Sequence, residues 1–152
     1  MKKNLLVFIF LFSLAVFSQT SKPDVAQWKF YYESGNVQNE FALCFLVKLE
    51  TGWHTYSQVE VNDGPIPTKI TLIPSIDDFE IIGPVIEPLG EKKMDEAFGL
   101  EITSFEKEVK FTQVIKRKHN KNIRVKGSVE YMTCNSVQCN PPKTIPFEIE
   151  IP

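Results

Sequence analysis

Histidine and cysteine are scarce in this 152-residue chain, which has two of the first and three of the second. A closed zinc site takes four ligands, drawn mostly from those types, and their spacing here supplies no such set. There is no Gly-rich phosphate loop, and no arrangement of Ser, His and Asp that pairs a nucleophile with a base, so hydrolytic chemistry has no footing. Positive charge is not in excess either, since 17 Lys and Arg stand against 19 Asp and Glu. That excludes a broadly basic protein that coats nucleic acid. Internal repeats, low-complexity tracts and helical periodicity are absent or nearly so.

Long apolar runs are also missing, with one exception at the start. Lys2 and Lys3 precede Leu5 to Phe17, a stretch without a charge, and small Ser18 follows with Val16 two positions before it. This pattern predicts a secretory signal peptide over residues 1–18, cut after about Ser18. The run is too short for a bilayer, which takes about 20 residues in a helix. Residues 19–152 are then one exported domain that does not itself span a membrane, in a compartment where disulfides can form. Removing Lys2 and Lys3 with the signal takes the net charge from -2 to -4.

What is present is β-structure. Apolar residues recur with period two, interrupted by turn formers such as Ser34-Gly35-Asn36, Thr51-Gly52, Asn62-Asp63-Gly64-Pro65, Gly83-Pro84 and His119-Asn120-Lys121-Asn122. Strands are predicted at Trp28 to Glu33, Asn39 to Glu50, Trp53 to Ser57, Thr68 to Ile73, Phe79 to Ile82, Ile102 to Phe105, Val109 to Ile115, Ile123 to Thr133 and Thr144 to Ile151. Eight or nine short antiparallel strands suggest an all-β, immunoglobulin-like sandwich. Glu87 to Gly99 is the longest stretch without alternation and reads as a long loop.

Chemistry is best placed at Cys134 and Cys139, four residues apart between two strands that pair as a hairpin. By parity along the first strand, Cys134 shares a face with Arg124, Lys126, Ser128 and Glu130. Its sulfur therefore points toward solvent or a covering loop unless a bulge shifts the register. Closing so short a loop removes only about 2 kcal/mol of chain entropy, against about 4.7 for a 100-residue loop, so the bond is poorly placed as a staple. A local structural disulfide and an exchanging pair both remain open on these residues. Asn140-Pro141-Pro142 follows, where two residues without backbone donors stop a ladder. Cys44 lies in an apolar run and reads as core packing. The Lys116-Arg117-Lys118 run with Lys121, and His119 beside it, read as a solvated turn. A copper site of Cys134, Cys139, Met132 and His54 fits ligand softness, though no spacing demands it.

These residues carry a resemblance. Val129-Glu-Tyr131-Met-Thr-Cys134, then Cys139-Asn140-Pro141-Pro142-Lys143-Thr144, resembles the cysteine hairpin of the N-terminal periplasmic domain of DsbD, a membrane thiol-disulfide reductase. Gly52-Trp53-His54-Thr55-Tyr56-Ser57-Gln58 is similar to that family's Gly-aromatic-x-x-Tyr strand, and Asp95-Glu96-Ala97-Phe98-Gly99 to its cap loop. The likeness runs from Trp28 to Pro152 in matching order. It implies an immunoglobulin-like domain in the periplasm whose Cys134 and Cys139 exchange disulfides, with no cofactor. His54, Tyr56, Tyr131 and Pro141 would surround the pair, and Asp95, Glu96 and Phe98 would belong to the cap. Partners implied are the thioredoxin-like domain of a membrane thiol reductase and exported thiol oxidoreductases, all on separate chains, with this chain a free-standing monomer. Two departures stand out: Ala97 occupies the place of the first cap aromatic, and the spacer between the cysteines is shorter by one. The rivals are a non-enzymatic binding module with a structural disulfide and a periplasmic copper protein.

Overall fold

Alternating apolar residues that share one face must bury that face against another layer, and in this chain two sheets do so. The computed structural model describes residues 24–152, so the predicted signal segment lies outside the described residues. Eleven strands follow one another: β1 (Ala26–Ser34), β2 (Glu40–Leu49), β3 (His54–Tyr56), β4 (Lys69–Leu72), β5 (Phe79–Ile86), β6 (Glu91–Asp95), β7 (Leu100–Glu106), β8 (Glu108–Arg117), β9 (Ile123–Tyr131), β10 (Thr133–Cys134) and β11 (Lys143–Ile151). All described pairings are antiparallel, and no helix occurs among the described residues.

The first sheet has the order β1-β2-β8-β5 and the second the order β11-β9-β4. Leu43, Phe45 and Val47 of β2 and Val109, Phe111 and Ile115 of β8 share the core with Val125 and Val129 of β9 and Phe147, Ile149 and Ile151 of β11. Aromatic edges tie the layers, with Phe147 at 4.9 Å from Phe45 and 5.4 Å from Phe30 between ring centroids. Burying a ring such as Phe45 or Phe147 stabilises the fold by roughly 1.5–3 kcal/mol relative to exposure. The architecture is the all-β, immunoglobulin-like sandwich that the periodicity predicts. A third sheet, β10-β3-β7-β6, sits at one end and carries the cysteine hairpin.

Five departures from the sequence expectation have physical causes. Glu91 to Asp95, expected within a loop, is β6, an edge strand laddered to β7 from Glu91↔Ser104 to Asp95↔Leu100. Its charges replace apolar alternation, as suits an edge that must not recruit another chain. Gly83-Pro84 does not end β5, which continues to Ile86 through a register shift after Ile82. The buried Gln113 amide donates to the carbonyls of Ile82 and Gly83 at 3.1 Å each, which satisfies acceptors the broken ladder would leave bare.

Cys44 is fully buried, but it lies on the face of β2 opposite Leu43 and Phe45, beside Tyr31 and Thr112, and not within the main core. The basic turn is more tied down than a solvated one: His119 Nε2 lies 3.1 Å from Asp78 Oδ1, and Lys118 Nζ donates to the Ile76 carbonyl.

The last departure places the site. The strand predicted from Ile123 to Thr133 splits: β9 ends at Tyr131, and after Met132 the chain enters the third sheet as β10, pairing Cys134 with His54. The Met132 carbonyl, left between two ladders, accepts a hydrogen bond from the buried Thr55 hydroxyl at 2.9 Å.

β9 is squeezed between β11 and β4 at Gly127, where a Cβ would lie 2.2 Å from the Thr71 carbonyl oxygen and 2.5 Å from Phe147 Cζ. Gly127→Ala is therefore expected to cost at least about 2 kcal/mol of stability, as overpacking does. Urea unfolding followed by tryptophan fluorescence measures it, and an unchanged midpoint would refute the contact.

Candidate active site

Directly opposed residues of antiparallel strands project side chains to the same face, with Cβ atoms about 4.5–5.5 Å apart. Across the third sheet one such row reads Cys139, Cys134, His54 and Glu106. Tyr56, two residues beyond His54, shares its face. The row is thus set by pairing, before any side-chain contact is considered.

Cys134 and Cys139 are joined in a disulfide that closes a five-residue separation. Cys134 is wholly buried in a small cluster with Tyr56 and Ile102, against which Phe98, Leu100, Met132 and Cys139 pack. Cys139 is half-buried, so the two sulfurs differ in access. The hairpin tip is held by Asn135, whose side-chain oxygen accepts from the amides of Val137 and Gln138 at 2.9 and 2.8 Å. Asn140 fastens the return strand through its amide nitrogen to the Thr133 carbonyl and through its side chain to the Thr133 hydroxyl.

A turn from Asp95 to Gly99 links β6 to β7 beside this cluster, and Asp95 organises it with both carboxylate oxygens. Oδ1 accepts from the backbone amides of Ala97 and Phe98 at 3.0 and 3.3 Å, while Gly99, at φ +65°, donates its amide to the Asp95 carbonyl at 2.8 Å. Oδ2 accepts from the Tyr56 hydroxyl at 2.8 Å and lies 3.2 Å from His54 Nε2, which is also 3.1 Å from the Tyr56 oxygen. One oxygen shapes the turn and the other fastens it to β3. Phe98 then lies edge-on to Tyr56 at 6.2 Å between ring centroids.

Burial opposes charge on Asp95, but the hydrogen bonds from Tyr56, Ala97, Phe98 and His54 outweigh it and hold the carboxyl below its ordinary range. Burial, reinforced by the hydrogen bond to Asp95 and its charge, pushes the Tyr56 phenol well above its ordinary value. Between the turn and the hairpin tip runs a groove of about 400 Å³ whose walls include His54, Lys93, Glu96, Glu106, Asn135 and Ser136.

The sequence-predicted residues therefore divide. Cys134, Cys139, His54, Tyr56, Asp95 and Phe98 come together, Glu96 is exposed at the groove, and Pro141 is exposed just beyond Cys139. Tyr131 does not join them: it packs on Trp28 in the main core, and its hydroxyl donates to Asp24 at 3.1 Å. Its parity with Val125 and Val129 carried that information. Missed by the sequence reading were Ile102 and Leu100, which wall the cluster, and Thr55, Asn135 and Asn140, which position its chain. Asn beside each cysteine was the available clue. Among the described residues no group of three or more His, Cys, Asp or Glu side chains is placed to hold a metal ion.

Comparison with known proteins bears on this geometry. The family model described as "Thiol:disulfide interchange protein DsbD, N-terminal" matches residues 21–150. No curated protein matches the chain by sequence. Among solved structures, the DsbD N-terminal domain of Neisseria meningitidis in the reduced form is 21% identical, with 79% of this chain and 83% of that one covered and a TM-score of 0.49. The N-terminal periplasmic domain of ScsB from Proteus mirabilis is 20% identical, with 85% of this chain covered and a TM-score of 0.55, and it shares the fold. This chain spans about half the length of that one, at 47%.

Asp95, with its lowered native value, contributes stability that is full above the unfolded carboxyl value of about 3.9 and is lost as pH falls through the native one. Tyr56→Phe removes one donor, raises that native value, and is expected to cost about 1–2 kcal/mol at pH 7. The gap between wild type and variant should narrow below about pH 4. Denaturant unfolding at pH 7 and pH 3, with the Asp95 carboxyl titrated by NMR, measures both; a gap independent of pH would remove Asp95 as the partner that matters.

Proposed function

The chain belongs to the family of the N-terminal domain of the thiol:disulfide interchange protein DsbD, a family involved in thiol-disulfide interchange, and on that premise we propose that it is an exported redox carrier working through Cys134 and Cys139. The observation that carries this reading is the unequal access of the two sulfurs, one wholly buried under the Asp95 turn and the other half-buried at its margin. An incoming thiolate attacks Cys139 Sγ, the bond between the cysteines breaks, and Cys134 leaves as the thiolate. In the other direction Cys139 is joined to the partner and Cys134 resolves the mixed disulfide.

The turn from Asp95 to Gly99 serves as the cap. Phe98, packed on the cluster with Cys134, supplies the shielding that Ala97, exposed, does not. The Asp95 carboxylate beside the pair disfavours a free thiolate, so the reduced protein reacts slowly until a partner displaces the turn. Suitable partners are thioredoxin-like domains of membrane thiol reductases as donors and exported thiol oxidoreductases as acceptors, on separate chains. The domain works in the periplasm as a monomer, after removal of residues 1–18.

A structural disulfide in a binding module is the competing reading. Against it stands the placement of the bond, across a pair already bridged by backbone in a hairpin, where its entropic contribution is only about 2 kcal/mol. The mature chain equilibrated in graded thiol buffers, with alkylated thiols counted by mass, should show a reduction potential above about -300 mV. Reduced Cys134→Ala should form a stable adduct with a single-cysteine thioredoxin activated as its thionitrobenzoate disulfide, whereas Cys139→Ala should form little. A potential clearly below that boundary, or equal trapping by the two variants, would overturn the carrier reading.

A further inference from the structure

Of the row Cys139, Cys134, His54 and Glu106, disulfide exchange as proposed draws only on the two sulfurs. We propose that His54, as imidazolium, is the charge partner of the buried Cys134 sulfur, stabilising it as a thiolate and giving disulfide exchange in this protein a dependence on imidazole protonation. This rests on the carrier reading for its purpose, though its chemistry concerns the bond alone.

Three observations support it. His54 is the register partner of Cys134, so the two side chains stand on one face of adjacent strands. Its Nε2 is fixed by Asp95 Oδ2 at 3.2 Å and by the Tyr56 oxygen at 3.1 Å, and the ring lies edge-on to Tyr56 at 5.2 Å. The Tyr56 hydroxyl already spends its proton on Asp95 at 2.8 Å, so Nε2 faces two oxygens and must itself donate. The side chain is only 15% exposed, so its charge is not dispersed by bulk water.

The charged groups that face His54 come from β6, β7 and the cap turn. Asp95, from β6, is held low despite burial by its hydrogen bonds. Glu106, opposite on β7, is held low by its hydrogen bond to Lys93, and Lys93 is held high by Glu106. Tyr56 is pushed high by burial. Glu96 lies across the groove on the cap turn, and Cys134 and Cys139 complete the surroundings. Imidazole is the side chain that ordinarily changes charge between pH 5 and 8.

The step balances as follows. The partner's thiolate sulfur bonds to Cys139 Sγ, and the electron pair of the broken bond stays on Cys134 Sγ, opposite the imidazolium. The partner sulfur is oxidised, Cys134 is reduced, and Cys134 later takes a proton from water. Loss of the imidazolium charge removes the cation paired with the Asp95 carboxylate on this face, and the leaving group worsens. An opposite charge within about 4–6 Å shifts a pKa by about 1–3 units, which a Brønsted slope near 0.5 converts to about three- to thirty-fold in rate.

Reduction of the oxidised mature chain by dithiothreitol, with rates corrected for the thiolate fraction of the reagent, is measured from pH 5 to pH 9. Wild type should lose three- to thirty-fold across the imidazole range. His54→Gln, whose amide can still donate to Asp95, should be flat at the slow level, and His54→Lys flat at the faster one. A fall in rate that persists in His54→Gln, or a flat wild-type profile, would overturn the inference. The thermodynamic potential of the pair judges the carrier reading separately: a pair too reducing to serve as a carrier could still show the His54-dependent profile.

Discussion

The hydroxyl of Thr55 holds the point where the chain leaves one sheet and enters another. A carbonyl stranded between two ladders costs about 1–3 kcal/mol when buried without a partner. Met132 presents such a carbonyl, and Thr55 answers it at 2.9 Å. The same threonine lies 3.5 Å from the Thr68 hydroxyl, which donates to the Tyr56 carbonyl at 2.6 Å. A small buried hydroxyl network therefore sits directly behind the face that bears His54 and Tyr56. The transfer turns Cys134 away from the charged face of β9 and brings it beneath the Asp95 turn.

Beneath that turn, electrostatics and packing share one residue. Asp95 caps its own loop with one oxygen and binds β3 with the other, so the geometry of the loop and the charge beside the cysteines cannot be changed independently. The remaining cohesion is apolar and slight: among the described residues, Phe98, Leu100 and Met132 pack on three buried side chains, against eighteen in the main core. Local openings of a protein are drawn from regions with few buried apolar contacts. The sandwich is thereby able to stay closed while the end that carries the disulfide rearranges.

Much of this was readable from the amino-acid order. Period-two alternation such as Val125, Val129 and Tyr131 located the long strands, because each buries one face on a single core. The cysteine pair follows from its spacing, and His54, Tyr56, Asp95 and Phe98 from their likeness to a family's motifs. What escaped depended on distant partners. Glu91-Lys92-Lys93 carries no alternation, since an edge strand is held by one neighbour's ladder. The continuation of β5 past Gly83 is supported by Gln113, thirty positions away. Parity placed Cys134 toward solvent or a covering loop; it lies under a loop, and the transfer that puts it there depends on a donor 77 positions earlier. Tyr131 enters the expected site through the family motif that ends at Cys134, although its own parity assigns it to the core.

Pro141 and Pro142 stand exposed just past the half-buried sulfur. Neither offers an N–H, so a visiting chain that lays itself along this rim cannot extend a hydrogen-bonded ribbon through it. In the proposed carrier, adhesion there would rest on surface shape and on the mixed disulfide. Such a rim lacks the sequence-independent backbone affinity of strand addition, so in the proposed carrier a visitor would be held there only briefly.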